Sequence, residues 1–227
     1  QVVRSASRDE SRPILTGVLL AAEGQGLRMV STDSYRLSVR DLPGTTALRE
    51  DQTVLVPSKA LDELSRVLHG DEEVTLVLGE RDASFQVGSF HLTTRLIEGE
   101  FPNYRGLIPA SHPNQLTVGR EVLVEAVRRV KLMAREPNTP VRLAMSADGL
   151  ELVAITQDVG QAHEQVDAGY SGEELTVAFN PDYLLSGVEV SPGDEITLFT
   201  VDAQKPAVIR AQGAEDFLYL LMPVRVS

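Results

Sequence analysis

The amino-acid sequence predicts an α+β fold, rich in β-strand and made of one domain used twice. Three observations predict it. Short apolar runs bounded by Gly-containing turns recur along the chain. Two longer segments instead place their apolar residues at helical spacing. The second half then repeats the first at a nearly constant offset.

Residues 18–22 and 27–32 flank Gly24-Gln25-Gly26 and read as a hairpin. Further strands are expected at 36–40, 53–56, 74–78, 83–87 and 90–96. Between them, residues 57–68 place Leu61, Leu64, Val67 and Leu68 on one helical face, and Gly70 marks the stop. Residues 101–114 hold Pro102, Pro109 and Pro113 in a polar setting and read as the linker between two domains. The expected domains are 1–108 and 109–227. The second opens with a strand at 115–118 and a helix from Arg120 to about Ala134. Val122, Leu123, Ala126, Val127, Val130 and Met133 make the expected apolar face of that helix.

The repeat rests on three anchors in the same order. Gly26-Leu27-Arg28-Met29-Val30 matches Gly149-Leu150-Glu151-Leu152-Val153, an offset of 123 residues. Val56-Pro57-Ser58-Lys59-Ala60-Leu61 matches Phe179-Asn180-Pro181-Asp182-Tyr183-Leu184 at the same offset. Glu73-Val74-Thr75-Leu76 matches Glu195-Ile196-Thr197-Leu198 at 122. Shifted back, the opening strand of the second copy falls before residue 1. The expectation is that the first copy lacks that strand, that residues 1 to about 8 carry the rest of a helix, and that the chain is a piece of a longer protein.

With 227 residues, 42% of them hydrophobic and 24% charged, the chain can bury a core in each of two domains. No run of about 18 apolar residues occurs, so no helix is expected to span a membrane. With no cysteine there is no disulfide, no thiolate metal site and no cysteine nucleophile, which fits a reducing cytoplasm. The net charge of −12 argues against nucleic-acid binding unless the basic residues cluster.

Signals for catalysis are thin. His69, His91, His112 and His163 show no metal-ligand spacing. Gly24-x-Gly26 lacks the third glycine of a dinucleotide loop and sits in a hairpin. Asp71-Glu72-Glu73 reads as a solvated acidic run rather than a cation site. No cofactor and no metal is expected. One basic excess does stand out: Arg120, Arg128, Arg129, Lys131 and Arg135 outnumber Glu121 and Glu125, and Arg4, Arg8 and Arg12 open the chain. It reads either as a phosphate-contacting face or as a solvated helix with ordinary i,i+4 pairs. The apolar C-terminus, 217–227, reads either as a strand closing a sheet or as an adaptable Met-lined groove.

Four segments resemble the bacterial sliding clamp family, the β subunit of DNA polymerase III. They are Thr32-Asp33-Ser34-Tyr35-Arg36-Leu37, Leu96-Ile97-Glu98-Gly99-Glu100-Phe101-Pro102-Asn103-Tyr104, Phe179-Asn180-Pro181-Asp182-Tyr183-Leu184-Leu185 and Tyr219-Leu220-Leu221-Met222-Pro223-Val224-Arg225. They follow the family's order and match its second and third domains. The resemblance implies a duplicated DNA-clamp domain, each copy with two helices packed on two curved antiparallel sheets. It implies a homodimeric ring around duplex DNA, without sequence specificity, in the full-length protein. This chain, with one face of the ring contact missing, is expected to be monomeric.

The same resemblance implies no catalysis. Lys59, Arg120, Arg128, Arg129 and Lys131 become candidates for the DNA side. A pocket between the two domains would take a short peptide motif from the polymerase III catalytic subunit, the clamp loader, translesion polymerases, mismatch repair proteins and ligase. Its first wall resembles Leu15, Thr32, Ser34, Tyr35, Arg36, Leu37, Pro102 and Leu107. Its second resembles Asn180, Tyr183, Leu220, Met222, Pro223, Val224 and Arg225, with Val226 as a terminal contact. The alternative is a small-molecule enzyme or binding protein that uses the inter-domain groove, and converging acids, bases or a metal there would mark it.

Overall fold

The computed structural model describes residues 1–70, 72–134 and 139–225. Asp71, Arg135 and Val226, named above, lie outside the described residues. The chain divides into two compact units, Gln1–Asn103 and Tyr104–Ser227. The expected boundary at 108/109 falls inside the second unit, whose first residue, Tyr104, is buried.

Unit 1 begins with two 3-10 turns, Val2–Ser5 and Pro13–Thr16. The helix expected over residues 1 to about 8 is therefore only a short turn. Ala6 is extended, and Ser7 and Asp9 accept the backbone N–H groups of Asp9 and Ser11 at 3.1 and 3.0 Å. Such local side-chain bonds offer the backbone an alternative to the helix. Four strands follow: β1 (Gly17–Glu23), β2 (Gly26–Thr32), β3 (Arg36–Pro43) and β4 (Thr53–Pro57). The β1–β2 turn closes on the pair Glu23↔Gly26, and Gly24 takes φ 56°, a conformation strained for an L side chain.

Helix α1 (Ser58–Val67) comes next, then β5 (Thr75–Leu78), β6 (Asp82–Val87) and β7 (Phe90–Arg95). The strands form antiparallel arrays ordered β3-β2-β1-β4 and β5-β6-β7. Val18, Leu20, Leu27 and Val56 from the first array, Ala60, Leu61 and Leu64 from α1, and Ala83, Phe85 and Val87 from β6 share one core. The spacing of two on β6 and the i, i+1, i+4 pattern on α1 are what two-layer packing requires. Each large side chain buried there contributes roughly 1.5–3 kcal/mol.

Unit 2 holds β8 (Asn114–Gly119), α2 (Arg120–Lys131), β9 (Val141–Ser146), β10 (Gly149–Thr156), β11 (Gly160–Val166), β12 (Ala168–Ser171) and β13 (Leu175–Phe179). It ends with α3 (Pro181–Val190), β14 (Glu195–Thr200), β15 (Ala207–Ala211) and β16 (Ala214–Leu221). Here the order β11-β10-β9-β13 reproduces β3-β2-β1-β4 element for element, and β14-β15-β16 reproduces β5-β6-β7. The sequence repeat is thus a repeat of fold. Beyond β14, unit 2 adds β8 and β12.

Two details of α2 differ from expectation. The helix stops at Lys131 because the N–H groups of Leu132, Met133 and Ala134 reach carbonyls only three residues back, which tightens the final turn. Its buried face is Leu123, Val124, Ala126, Val127 and Val130, while Val122 points to solvent. The packing of α2 against its sheets puts Val124 in place of Val122 in the buried face and keeps Leu123, Ala126, Val127 and Val130 there.

Candidate functional site

The first set of site residues belongs to unit 1, and one buried acid organises it. Asp33 follows the end of β2. Its Oδ1 accepts the backbone N–H groups of Tyr35 and Arg36 at 2.9 and 3.1 Å, and its Oδ2 accepts from Arg36 Nε at 3.0 Å. Thr32 Oγ1 donates to the Arg36 carbonyl at 2.7 Å and accepts the Ser34 N–H at 3.1 Å. This bond set holds Ser34 at φ 82° and leaves the Tyr35 side chain outside, 58% exposed. Arg12, at the head of the 3-10 turn carrying Leu15, donates Nη1 to Ser34 Oγ at 3.3 Å and so joins that turn to the loop. Leu15 is buried and Pro102 is exposed. Leu37 is only 1% exposed, so it offers a ligand almost no surface.

The second set belongs to unit 2 and converges on the start of α3. Asn180 caps that helix, its Oδ1 accepting the N–H groups of Asp182 and Tyr183 at 2.9 and 3.2 Å. Pro181 at the first helical position loses no bond there. The Tyr183 carbonyl accepts Tyr219 Oη at 2.7 Å, which fastens α3 to β16. Past β16, the Val224 N–H donates to the Ala178 carbonyl at 2.8 Å, so Met222, Pro223 and Val224 run beside the end of β13. These three are half-buried and Arg225 is exposed. Leu220 is 1% exposed and, like Leu37, faces inward. Leu107, grouped with the first wall in the sequence reading, lies in unit 2 on the 3-10 turn Arg105–Leu107 and is 47% exposed. The chain has already entered the second unit at the buried Tyr104.

The candidate DNA-side cations divide differently. Lys59, on α1, is highly exposed and pairs with Glu10 at 3.1 Å. Arg120 is the first residue of α2, and its Nε donates to the Gly193 carbonyl at 2.8 Å while Nη2 meets Glu121 at 2.7 Å. Arg128 reaches Glu125 at 3.0 Å and Glu189 of α3 at 2.9 Å. Arg129 reaches Glu164 of β11 at 2.5 Å, and Lys131 pairs with Asp182 of α3. Hydrogen bonds donated to these carboxylates hold the Arg128 and Arg129 pKa above the ordinary value, and the Arg129 bond holds the Glu164 carboxyl below its own. The helix is basic, but its charge is met by acids.

The sequence offers Arg12 only as part of the basic excess and Asp33 only as part of a family segment, neither as a site residue. Asp33 does carry a signal, since an Asx side chain accepting a backbone N–H two residues on is common turn chemistry. Glu164 and Glu189 lie 35 and 61 residues from the arginines they meet, and no local signal finds them. Among the described residues, no group of three or more His, Asp or Glu side chains could hold a metal ion. No described helix is long and apolar enough to cross a membrane.

These features define a class: a tandem α+β protein whose two units repeat one strand order, with a salt-bridged basic helix and an apolar C-terminal tail. Residues 1–103 match the family model of the DNA polymerase III beta subunit, central domain, and residues 105–225 match that of its C-terminal domain. The chain belongs to the DNA polymerase III beta subunit family. It is 37% identical to the beta sliding clamp of Streptomyces coelicolor over 239 aligned residues, covering 100% of this chain and 63% of that protein. It is 33% identical to the Bacillus subtilis beta sliding clamp, over 99% of this chain and 61% of that one. The crystal structure of the DNA polymerase sliding clamp from Bacillus subtilis superimposes with a TM-score of 0.92, covering 100% of this chain and 61% of that one. The chain thus spans about three-fifths of the length of the relatives it matches.

Proposed function

We propose that the protein containing this chain is a processivity clamp of bacterial DNA replication, working in the cytoplasm as a tether and not as a catalyst. The observation that carries this reading is family membership across both units, one matching the central and one the C-terminal domain. In this reading the full-length protein is a homodimeric ring around duplex DNA that holds polymerases and repair proteins there. The residues of the two walls act together as one peptide-binding pocket. The partners are those the resemblance implies: the polymerase III catalytic subunit, the clamp loader, translesion polymerases, mismatch repair proteins and ligase.

The pocket takes a short extended peptide with a leucine and an aromatic residue. Leu107, Met222 and Pro223 supply its reachable apolar surface, with Arg36 and Arg225 at the rim. Leu37 and Leu220 stiffen the wall from inside. A few anchors dominate such an interface, each costing on the order of 2 kcal/mol when lost. Met222→Glu is expected to weaken peptide binding roughly thirtyfold, since about 1.4 kcal/mol is a factor of ten. Arg120→Ala, tied to Gly193 and Glu121 instead, is expected to leave peptide affinity unchanged. Fluorescence polarisation with a labelled clamp-binding peptide tests both. No binding to the unaltered chain, or equal losses in the two variants, overturns the pocket.

A further inference from the structure

The cations of α2 reach acids one turn back on α2 itself and on two other elements, α3 and β11. Arg128 spans Glu125, one turn back on α2, and Glu189 on α3. Lys131 reaches Asp182 on α3, and Arg129 reaches Glu164 on β11. Arg128, Lys131, Asp182 and Glu189 line one groove of about 530 Å³ in which α2 supplies the cations and α3 the anions. Both members of each pair remain open to water, with side-chain exposures from 24% for Glu164 to 65% for Asp182. An exposed ion pair of this kind holds its partners only weakly. A phosphate can therefore take a carboxylate's place without uncovering a buried charge.

From this we infer that Glu125, Glu189, Glu164 and Asp182 limit the affinity of the α2 surface for duplex DNA, occupying its cations until a phosphate displaces them. The inference rests on the proposal that α2 faces DNA. A bare row of arginines would grip successive phosphates tightly and release counterions in proportion. A row already paired with acids presents a nearly neutral face and trades one anion for another. That suits a protein that must stay near DNA and still move along it.

The test uses the chain as it stands, with fluorescence anisotropy on a short labelled duplex between roughly 50 and 200 mM salt, the range over which phosphate contacts change most. The double variant Glu125→Gln/Glu189→Gln keeps the shape but removes both negative charges that face Arg128, one of which also faces Arg129. It is expected to bind about fivefold tighter at the low-salt end, with a log K against log salt slope steeper by about one. Glu164→Gln, acting through Arg129, is a second case expected to tighten binding about twofold, within what one exposed pair is worth. Glu73→Gln/Glu80→Gln makes the same change in net charge on unit 1, and it is expected to do little. If this control tightens binding as much, or if neither α2-directed variant binds more tightly than the unaltered chain, the inference is overturned, and undetectable binding by all of them overturns it too. Arg128→Ala separates the two readings. If it leaves DNA affinity unchanged in the double variant, α2 does not face DNA. If it weakens binding while the double variant shows no gain, the proposed DNA surface stands and the limiting role of the acids falls.

Discussion

Asp33 is an acid held inside the protein, and its carboxylate accepts three bonds from the loop that follows it. Removing it takes away the carboxylate that accepts two backbone N–H groups and Arg36 Nε. Asp33→Ala is expected to destabilise unit 1 by about 2 kcal/mol, within the range for bonds to charged groups, and to speed hydrogen exchange at Tyr35 and Arg36. Exchange monitored by NMR reads both effects, and unchanged protection would show that Thr32 holds the loop alone. His112 makes the opposite case. Its Nε2 is enclosed with no hydrogen-bond partner among the described residues, and its ring lies 5.3 Å from that of Phe199. Burial, with Arg210 adding repulsion, pushes its pKa below 6.5. The unfolded chain then takes up this proton first as pH falls. The stability at stake is intact above 6.5 and is lost as pH drops through the depressed value. A titration of the His112 ring proton by NMR is expected to give a midpoint below 6.5, and a midpoint at or above it would contradict the enclosure.

At the scale of elements, α3 shows how a helix is held at one angle. Asn180 starts it, Tyr219 ties its first turn through the Tyr183 carbonyl, and Gly187 lets its middle approach β16. A Cβ at Gly187 would fall well inside the Tyr219 ring. A mid-helix glycine ordinarily costs about 1 kcal/mol against alanine. Here the close approach outweighs that propensity, and Gly187→Ala is expected to destabilise unit 2 by about 1–3 kcal/mol through overpacking. Urea unfolding measures it. A more stable variant would mean that α3 can move away from β16 freely, and the tail beside β13 would then not be fixed in place.

At the scale of the molecule, the two units are unequal versions of one design. The core of unit 2 draws on both α2 and α3 and on all its strand layers, whereas that of unit 1 rests on α1, a 3-10 turn and fewer strands. Buried apolar area drives folding, so the larger core should stand alone more readily. Residues 104–227 produced alone are expected to unfold cooperatively in urea, and residues 1–103 alone at a lower midpoint. The reverse order would show that the layers counted here do not set stability. The net charge of −12 also acts at this scale, because each surface cation of α2 is answered by an acid from the same excess.

The features legible in the sequence are those set by neighbours along the chain. The Gly24 hairpin, the helical spacing of Leu61 and Leu64 in α1 and the alternation on β6 all follow from turn chemistry and short periods. The 123-residue offset disclosed the duplicated fold because a duplicated strand order leaves a duplicated pattern of residues. What only the tertiary structure decided depends on distant packing. It turned Val124 inward and Val122 outward, because the sheets under α2 choose its buried face. It placed strands β11 and β12, whose sequences, 160–166 and 168–171, carry too few alternating apolar residues to announce themselves. It buried Leu37 and Leu220, put Leu107 in the second unit, and set Glu189 against Arg128 across 61 residues of chain. Periodicity reports which residues share a face, but only three-dimensional packing selects what lies opposite it.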